Sequence, residues 1–220
     1  MKVLFIGNSY TYYNDMPTLF GKLANSNGKS VTVYSITKGG RKLEQYADPA
    51  DPITVSLDAL LATEILDVCF IQEQSLMPAV DSDRFAAGLE CVVSKLTGKA
   101  GKFILYATWG RKTGSSVLTE HQWTTEGMTH LVMDAYQKAA KRYNAQISPV
   151  GNSFLYITKN HPEIDLYDKD LTHPSYLGSC LSALTHYYTV FHEFPTLTDA
   201  LSLSKAELAA LKAAVCQLTV

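Results

Sequence analysis

The sequence predicts an α/β domain in which a central five-stranded parallel sheet lies between two layers of helices. Three observations lead there. Apolar runs of strand length recur along the chain, separated by segments with helical periodicity, which is the pattern of βαβ units. The first run, Lys2-Val3-Leu4-Phe5-Ile6-Gly7, is apolar without alternation, as a strand covered on both faces must be. The chain's 220 residues, 46% of them hydrophobic, suffice for one sizeable core, so residues 1–220 read as a single domain.

The elements follow in order. After the strand at 2–7, Asn14-Asp15-Met16-Pro17 offers capping side chains and a first-turn proline for a helix running to about Asn27, where Gly28 stops it. Residues 30–36 alternate and are β-branched, a second strand, with Gly39-Gly40 directly behind. A polar stretch from Gln45 to about Ile53 leads to a short helix around Leu57–Leu61, and Asp67–Gln72 is the third strand. Asp81 or Ser82 caps a helix through Leu96. Residues 102–107 form the fourth strand, ending at Trp109-Gly110, and a long helical pattern covers about 120–143. Residues 145–150 read as a fifth strand whose Pro149 places it near an edge or at the strand's end. Pro174 reads as the first residue of a helix running to Phe191, and Ser204-Lys205-Ala206-Glu207 is a capping box before a last helix at Leu208–Val215. The loops 45–53 and 109–119 are the lid candidates.

Composition narrows the function. A net charge of -2 with no basic run gives no electrostatic footprint for nucleic acid. No apolar stretch approaches the roughly 20 residues a membrane span requires. The apolar start of the chain is read as a strand rather than a signal peptide, which points to a soluble, cytoplasmic protein. Cys69, Cys91, Cys180 and Cys216 lie in apolar patterns without a CxxC pair and are expected to be buried thiols; neither a metal nor a cofactor is called for.

Chemistry enters where polar residues gather. Ligands of a parallel α/β sheet collect outside the carboxyl ends of its strands. Ser9 follows the first strand, Gly39-Gly40 the second, Gln74 the third, and Asp170-Leu171-Thr172-His173 comes after the last, so all four groups belong to one edge. A serine hydroxyl needs a neutral imidazole to take its proton and a carboxylate to hold that imidazole's tautomer. Asp170, three residues before His173, reaches Nδ1 through one tight turn and leaves Nε2 for Ser9. Taken singly, each signal has another reading: Gly7-Asn8-Ser9 as a phosphate-binding turn or a helix cap, and Asp165, Asp168, Asp170 and His173 as metal ligands. Among the other histidines, His161 precedes a proline in a loop, His121 stands at a helix start, and His130, His186 and His192 fall in helical patterns; none has a carboxylate at such a spacing.

These blocks resemble the SGNH (GDSL-type) esterase and lipase family. Gly7-Asn8-Ser9-Tyr10-Thr11 is similar to its GDSxT block with Asn8 in place of Asp, Gly39-Gly40 to the second block, and Asp170-Leu171-Thr172-His173-Pro174 to the fifth. The third block departs, since Gln72-Glu73-Gln74-Ser75 stands where the family has GxND. The resemblance implies a flavodoxin-like SGNH fold, a triad of Ser9, His173 and Asp170, and an oxyanion hole from the backbone N–H of Ser9, that of Gly39 or Gly40, and the Gln74 amide, with Gln72 as second choice. Placing His173 at a helix start implies a balance, the dipole disfavouring imidazolium and Asp170 favouring it.

Tyr10 beside the nucleophile, Trp109 at the end of strand four, and Glu73 are the candidate substrate contacts. The function expected is hydrolysis of small acyl esters, with acetylated carbohydrate as the substrate class the aromatics suggest. Lipase, thioesterase or acyltransferase activity uses the same triad. A carbohydrate-binding module without turnover is the alternative of another class, and a flavodoxin-like nucleotide binder a weaker one. Oligomeric state has no signal in the sequence.

Overall fold

The computed structural model describes residues 1–217. Strands β1 (Lys2–Gly7), β2 (Thr32–Thr37), β3 (Leu66–Ile71), β4 (Ala100–Tyr106) and β5 (Gln146–Ser148) form one sheet in the order β2-β1-β3-β4-β5, every neighbouring pair parallel. Helices α1 (Ser9–Tyr12) and α2 (Met16–Ser26) follow β1, and α3 (Pro52–Thr63) follows β2. Helices α4 (Met77–Val80) and α5 (Ser82–Leu96) follow β3; α6 (Ser116–His121) and α7 (Thr125–Tyr143) follow β4. After β5 come α8 (Val150–Asn160), α9 (Tyr176–Phe191) and α10 (Lys205–Cys216).

Side chains alternate across a strand, and here both faces are buried. Val3 and Phe5 of β1, Val68 and Phe70 of β3, and Ile104 and Tyr106 of β4 point into a core shared with α2, α8, α9 and α10. Leu4, Ile6, Cys69, Ile71 and Leu105 point the other way, onto Leu57 of α3, Leu89 and Val92 of α5, and Tyr136 of α7. Each such fully buried side chain contributes about 1.5–3 kcal/mol relative to exposure, so the central strands are fixed in register from both sides. After β2 the chain returns across β1 to add β3. That reversal of winding opens a crevice at the carboxyl ends of β1 and β3.

Several elements differ from the sequence reading. The helical pattern over 120–143 is two helices, because Gln122 adopts a left-handed φ of 55° and Thr124 caps a new helix with a hydrogen bond from the Gly127 N–H. Helix α3 starts earlier than expected, at Pro52, with the Asp51 carboxylate accepting from the Ile53 and Thr54 N–H groups. Strand β5 is only three residues long, since Pro149 begins the turn into α8, a helix the sequence reading lacked. Pro174 lies outside α9: it forms an isolated bridge with Tyr167, and Ser175 caps the helix. Cys69 and Cys180 are buried, whereas Cys91 and Cys216 are half-buried. The loop from Gln45 is anchored rather than lid-like, with Tyr46 fully buried in the core. No helix among the described residues is long and apolar enough to cross a membrane.

His186 is a core histidine. Its ring sits among Phe5, Phe70 and Tyr106, its Nδ1 is 2.7 Å from Ser148 Oγ, and burial pushes it down to about 3, so it stays neutral.

Candidate active site

The site begins where β1 ends. Gly7 is required there because a Cβ would lie 2.3 Å from Thr11 Oγ1 and 2.5 Å from Gln72 Oε1. Asn8 then caps α1, its Oδ1 accepting from the Tyr10 N–H at 3.2 Å. Ser9 is the first residue of that helix, so its backbone N–H belongs to the turn that has no intrahelical acceptor.

Ser9 Oγ is 2.8 Å from His173 Nε2, and His173 Nδ1 is 2.5 Å from Asp170 Oδ2. The second contact is local. Leu171 takes a left-handed φ of 62°, which folds the Asp170 side chain back so that its Oδ1 accepts from the Thr172 and His173 N–H groups, each at 2.9 Å. Partial burial pushes the Asp170 carboxyl up, but the hydrogen bonds from the His173 ring and from these N–H groups outweigh it and hold the group below the ordinary range. Asp170 therefore stays an anion facing the imidazole.

The loop carrying this pair is pinned from two sides. Trp109 Nε1 donates to the Thr172 carbonyl at 3.1 Å, and the Lys112 N–H donates to the Leu171 carbonyl at 2.9 Å. From the other side, Asn14 Nδ2 donates to the Pro174 carbonyl at 3.1 Å and to Ser179 Oγ at 2.9 Å. Because α9 starts at Tyr176, His173 lies ahead of the helix rather than in its first turn, and the dipole balance expected from the sequence loses its basis.

The loops after β2 and β3 complete the edge. Residues Lys38–Arg41 make a turn closed by the Arg41 N–H on the Lys38 carbonyl at 3.1 Å, with Gly40 at φ 67°, and Gly39 and Gly40 are exposed. A Cβ on Gly39 would lie 3.1 Å from the Tyr12 hydroxyl. In the third loop, Gln72 is fully buried: its Oε1 accepts from the Asn8 N–H and from Thr11 Oγ1, each at 2.9 Å, and its Nε2 donates to the Glu73 carbonyl. Both ends of its carboxamide are thus engaged inside the protein. Gln74 is half-buried, and its Oε1 accepts from the Leu76 and Met77 N–H groups at 3.0 and 3.1 Å, leaving the Nε2 end for other partners.

The three expected substrate contacts are corrected by burial. Tyr10 is 3% exposed and stacks on Trp109, 4.7 Å between centroids; Trp109 has no exposure and stacks in turn on Phe154 at 4.0 Å. Glu73 is 1% exposed and faces inward, both carboxylate oxygens accepting from the Leu43 N–H at 3.1 and 3.2 Å. Burial pushes this carboxyl up to about 7, against the opposing N–H groups of Gln74 and Leu43. All three brace loops instead of touching solvent. Facing outward are Tyr12, 38% exposed, and the half-buried Tyr13, whose ring stacks on His173 at 4.2 Å and 11°. Arg111, which carries no sequence signal, reaches Ser75 Oγ with Nη2 at 3.1 Å and lies 5.7 Å from the Tyr10 ring centre. A cavity of about 220 Å³ that Ser9 does not line is bounded by Lys112, Thr125, Thr158, Ile164 and Tyr167 among others.

Among the described residues no group of three or more His, Cys, Asp or Glu side chains could hold a metal ion; Asp165 is instead paired with Lys112 at 2.6 Å. The remaining histidines stand apart from Ser9: His121 stacks on Trp123, His161 faces Glu163, and His130 faces Glu126.

No family model and no curated protein matches the sequence. Solved structures do. A protein described as a candidate SGNH hydrolase from Slackia heliotrinireducens is 27% identical over 86% of this chain and 98% of its own, with a TM-score of 0.76. This is the SGNH-hydrolase fold. A DUF4886 family protein from Bacteroides uniformis shares it at 20% identity and a TM-score of 0.83, covering 99% of this chain and 94% of its own. The acetyl xylan esterase AlAXEase shares it at 20% identity and a TM-score of 0.64, over 87% of this chain and all of its own. The SGNH resemblance read from the blocks at Ser9 and Asp170–His173 thus holds at the level of the fold.

Proposed function

We propose that this SGNH protein is a serine esterase that removes small acyl groups, acetyl foremost, from carbohydrate. The observation that carries the proposal is the hydrogen-bonded sequence from Ser9 Oγ through the His173 ring to the Asp170 carboxylate. In the proposed reaction Ser9 Oγ attacks the ester carbonyl as its proton passes to His173 Nε2, while Asp170 holds the tautomer and offsets the imidazolium charge. The oxyanion takes hydrogen bonds from the backbone N–H of Ser9, from Gly39 or Gly40, and from Gln74 Nε2, the carboxamide whose nitrogen end is available. Collapse expels the sugar alcohol with the proton from His173. Water, deprotonated by the same imidazole, then releases the acid from Ser9.

One observation supports a sugar substrate. The exposed Tyr12 ring stands beside the Gly39 turn, where an aromatic face suits a pyranose. Likeness to an acetyl xylan esterase points to the same substrate class. Acetylated xylooligosaccharides incubated with wild type and with Ser9→Ala, with acetate followed by proton NMR, test the proposal. Release by wild type alone is expected. Equal release by both removes Ser9 as nucleophile, and glycan binding without release assigns the protein to the binding modules.

A further inference from the structure

We infer that Tyr13 is a positioning residue for the base, its ring stacked on His173 to hold the imidazole plane and to favour the imidazolium formed during acyl transfer. The inference rests on the serine-esterase reading for its catalytic half, but the stack itself is a feature of the fold. The ring centroids are 4.2 Å apart and the planes differ by 11°. The His173 ring is thereby held on three sides: Asp170 at Nδ1, Ser9 at Nε2, and the Tyr13 face.

The backbone is bent to deliver this contact. Asn14 and Asp15, consecutive and neither of them glycine, both adopt left-handed conformations, with φ of 52° and 55°. Left-handed residues in pairs are uncommon even for Asn and Asp, and such conformations persist where surrounding contacts over-determine them. Those contacts are present. Asn14 Nδ2 donates to the carbonyl of Pro174, the residue after His173, and to Ser179 Oγ, whose hydroxyl in turn donates to the Tyr13 carbonyl at 3.2 Å. The turn between α1 and α2 is therefore laced to the loop that carries the base, and the lacing sets the Tyr13 ring over the imidazole. An aromatic face attracts a cation through its quadrupole and does little for the neutral ring. The stack accordingly stabilises the protonated state, the form His173 takes when Ser9 gives up its proton.

The groups facing the imidazole are Asp170 on its own loop, Ser9 and Tyr10 on α1, and Tyr13 in the following turn; Arg111 approaches only the Tyr10 ring. Removing the Tyr13 ring leaves the others in place. The test compares wild type, Tyr13→Leu and Tyr13→Phe by NMR titration of the His173 ring and by steady-state hydrolysis of an acetyl ester. The leucine variant is expected to titrate at lower pH than wild type and to lose roughly tenfold in kcat with KM little changed, while phenylalanine retains both properties. Equal titration midpoints in wild type and the leucine variant would overturn the inference, as would a phenylalanine variant as impaired as the leucine one. A wild type without Ser9-dependent turnover defeats the esterase reading alone; the titration still decides whether the ring favours the imidazolium.

Discussion

Asn8 Nδ2 donates a hydrogen bond to the carbonyl oxygen of Arg41 across 3.0 Å of buried space. The contact joins the loop that carries Ser9 to the loop that carries Gly39 and Gly40, and it explains the residue at position 8. A carboxylate, as in the GDSxT block, has no hydrogen to donate and would face the carbonyl with like charge. Arg41 is itself fixed, 4% exposed, with Nη2 on Asp51 at 2.8 Å and its guanidinium over the Tyr46 ring.

Asn8→Asp is therefore expected to lower stability by about 1–3 kcal/mol, the range for leaving a buried polar group without its partner. Urea unfolding at neutral pH measures the loss. An unchanged midpoint would mean that the donor at position 8 is dispensable.

Glu73 makes stability depend on pH. Its carboxyl is held up at about 7 in the fold against an ordinary 4.5, so between these values the folded chain binds more protons than the unfolded one. The stability it supplies is fully present below about pH 4.5 and is lost as the pH rises through about 7, on the order of 3 kcal/mol at most. Glu73→Gln removes this dependence. The stability of wild type relative to the variant should fall between pH 4.5 and pH 8 in paired urea titrations; a constant difference would contradict the buried setting of this carboxyl.

Trp109→Phe separates bracing from substrate binding. Phenylalanine preserves the stack between Tyr10 and Phe154 but loses the N–H that holds the Thr172 carbonyl. The account expects a stability loss of about 1 kcal/mol and a fall in kcat with KM unchanged. A variant whose KM alone rises would return Trp109 to the substrate.

The parts of the site readable from sequence were those set by local spacing. Asp170 and His173 are three residues apart, and one turn brings them together; Ser9 follows an apolar run whose strand and edge were both recognisable. What decided the rest was which way a side chain faces once helices pack. Tyr10, Tyr12 and Tyr13 are equivalent as letters, yet α1 buries the first, exposes the second, and the left-handed pair at Asn14 and Asp15 turns the third onto the imidazole. Gln72 and Gln74 were likewise ambiguous until the pairing of β3 with β1 placed the first against the Asn8 N–H. Helix α8 is hidden in the sequence because Pro149 reads equally as the end of β5 and as the start of a helix, although Val150, Phe154 and Ile157 have helical spacing.

The central claim is that the Ser9 hydroxyl is activated by His173. Intact-mass analysis after exposure to a fluorophosphonate, with peptide mapping of the adduct, tests it most directly. One adduct on Ser9 is expected in wild type, none in Ser9→Ala, and labelling slowed by at least about 100-fold in His173→Ala. Labelling of Ser9 at an unchanged rate without the imidazole, or an adduct on another residue, would contradict the account.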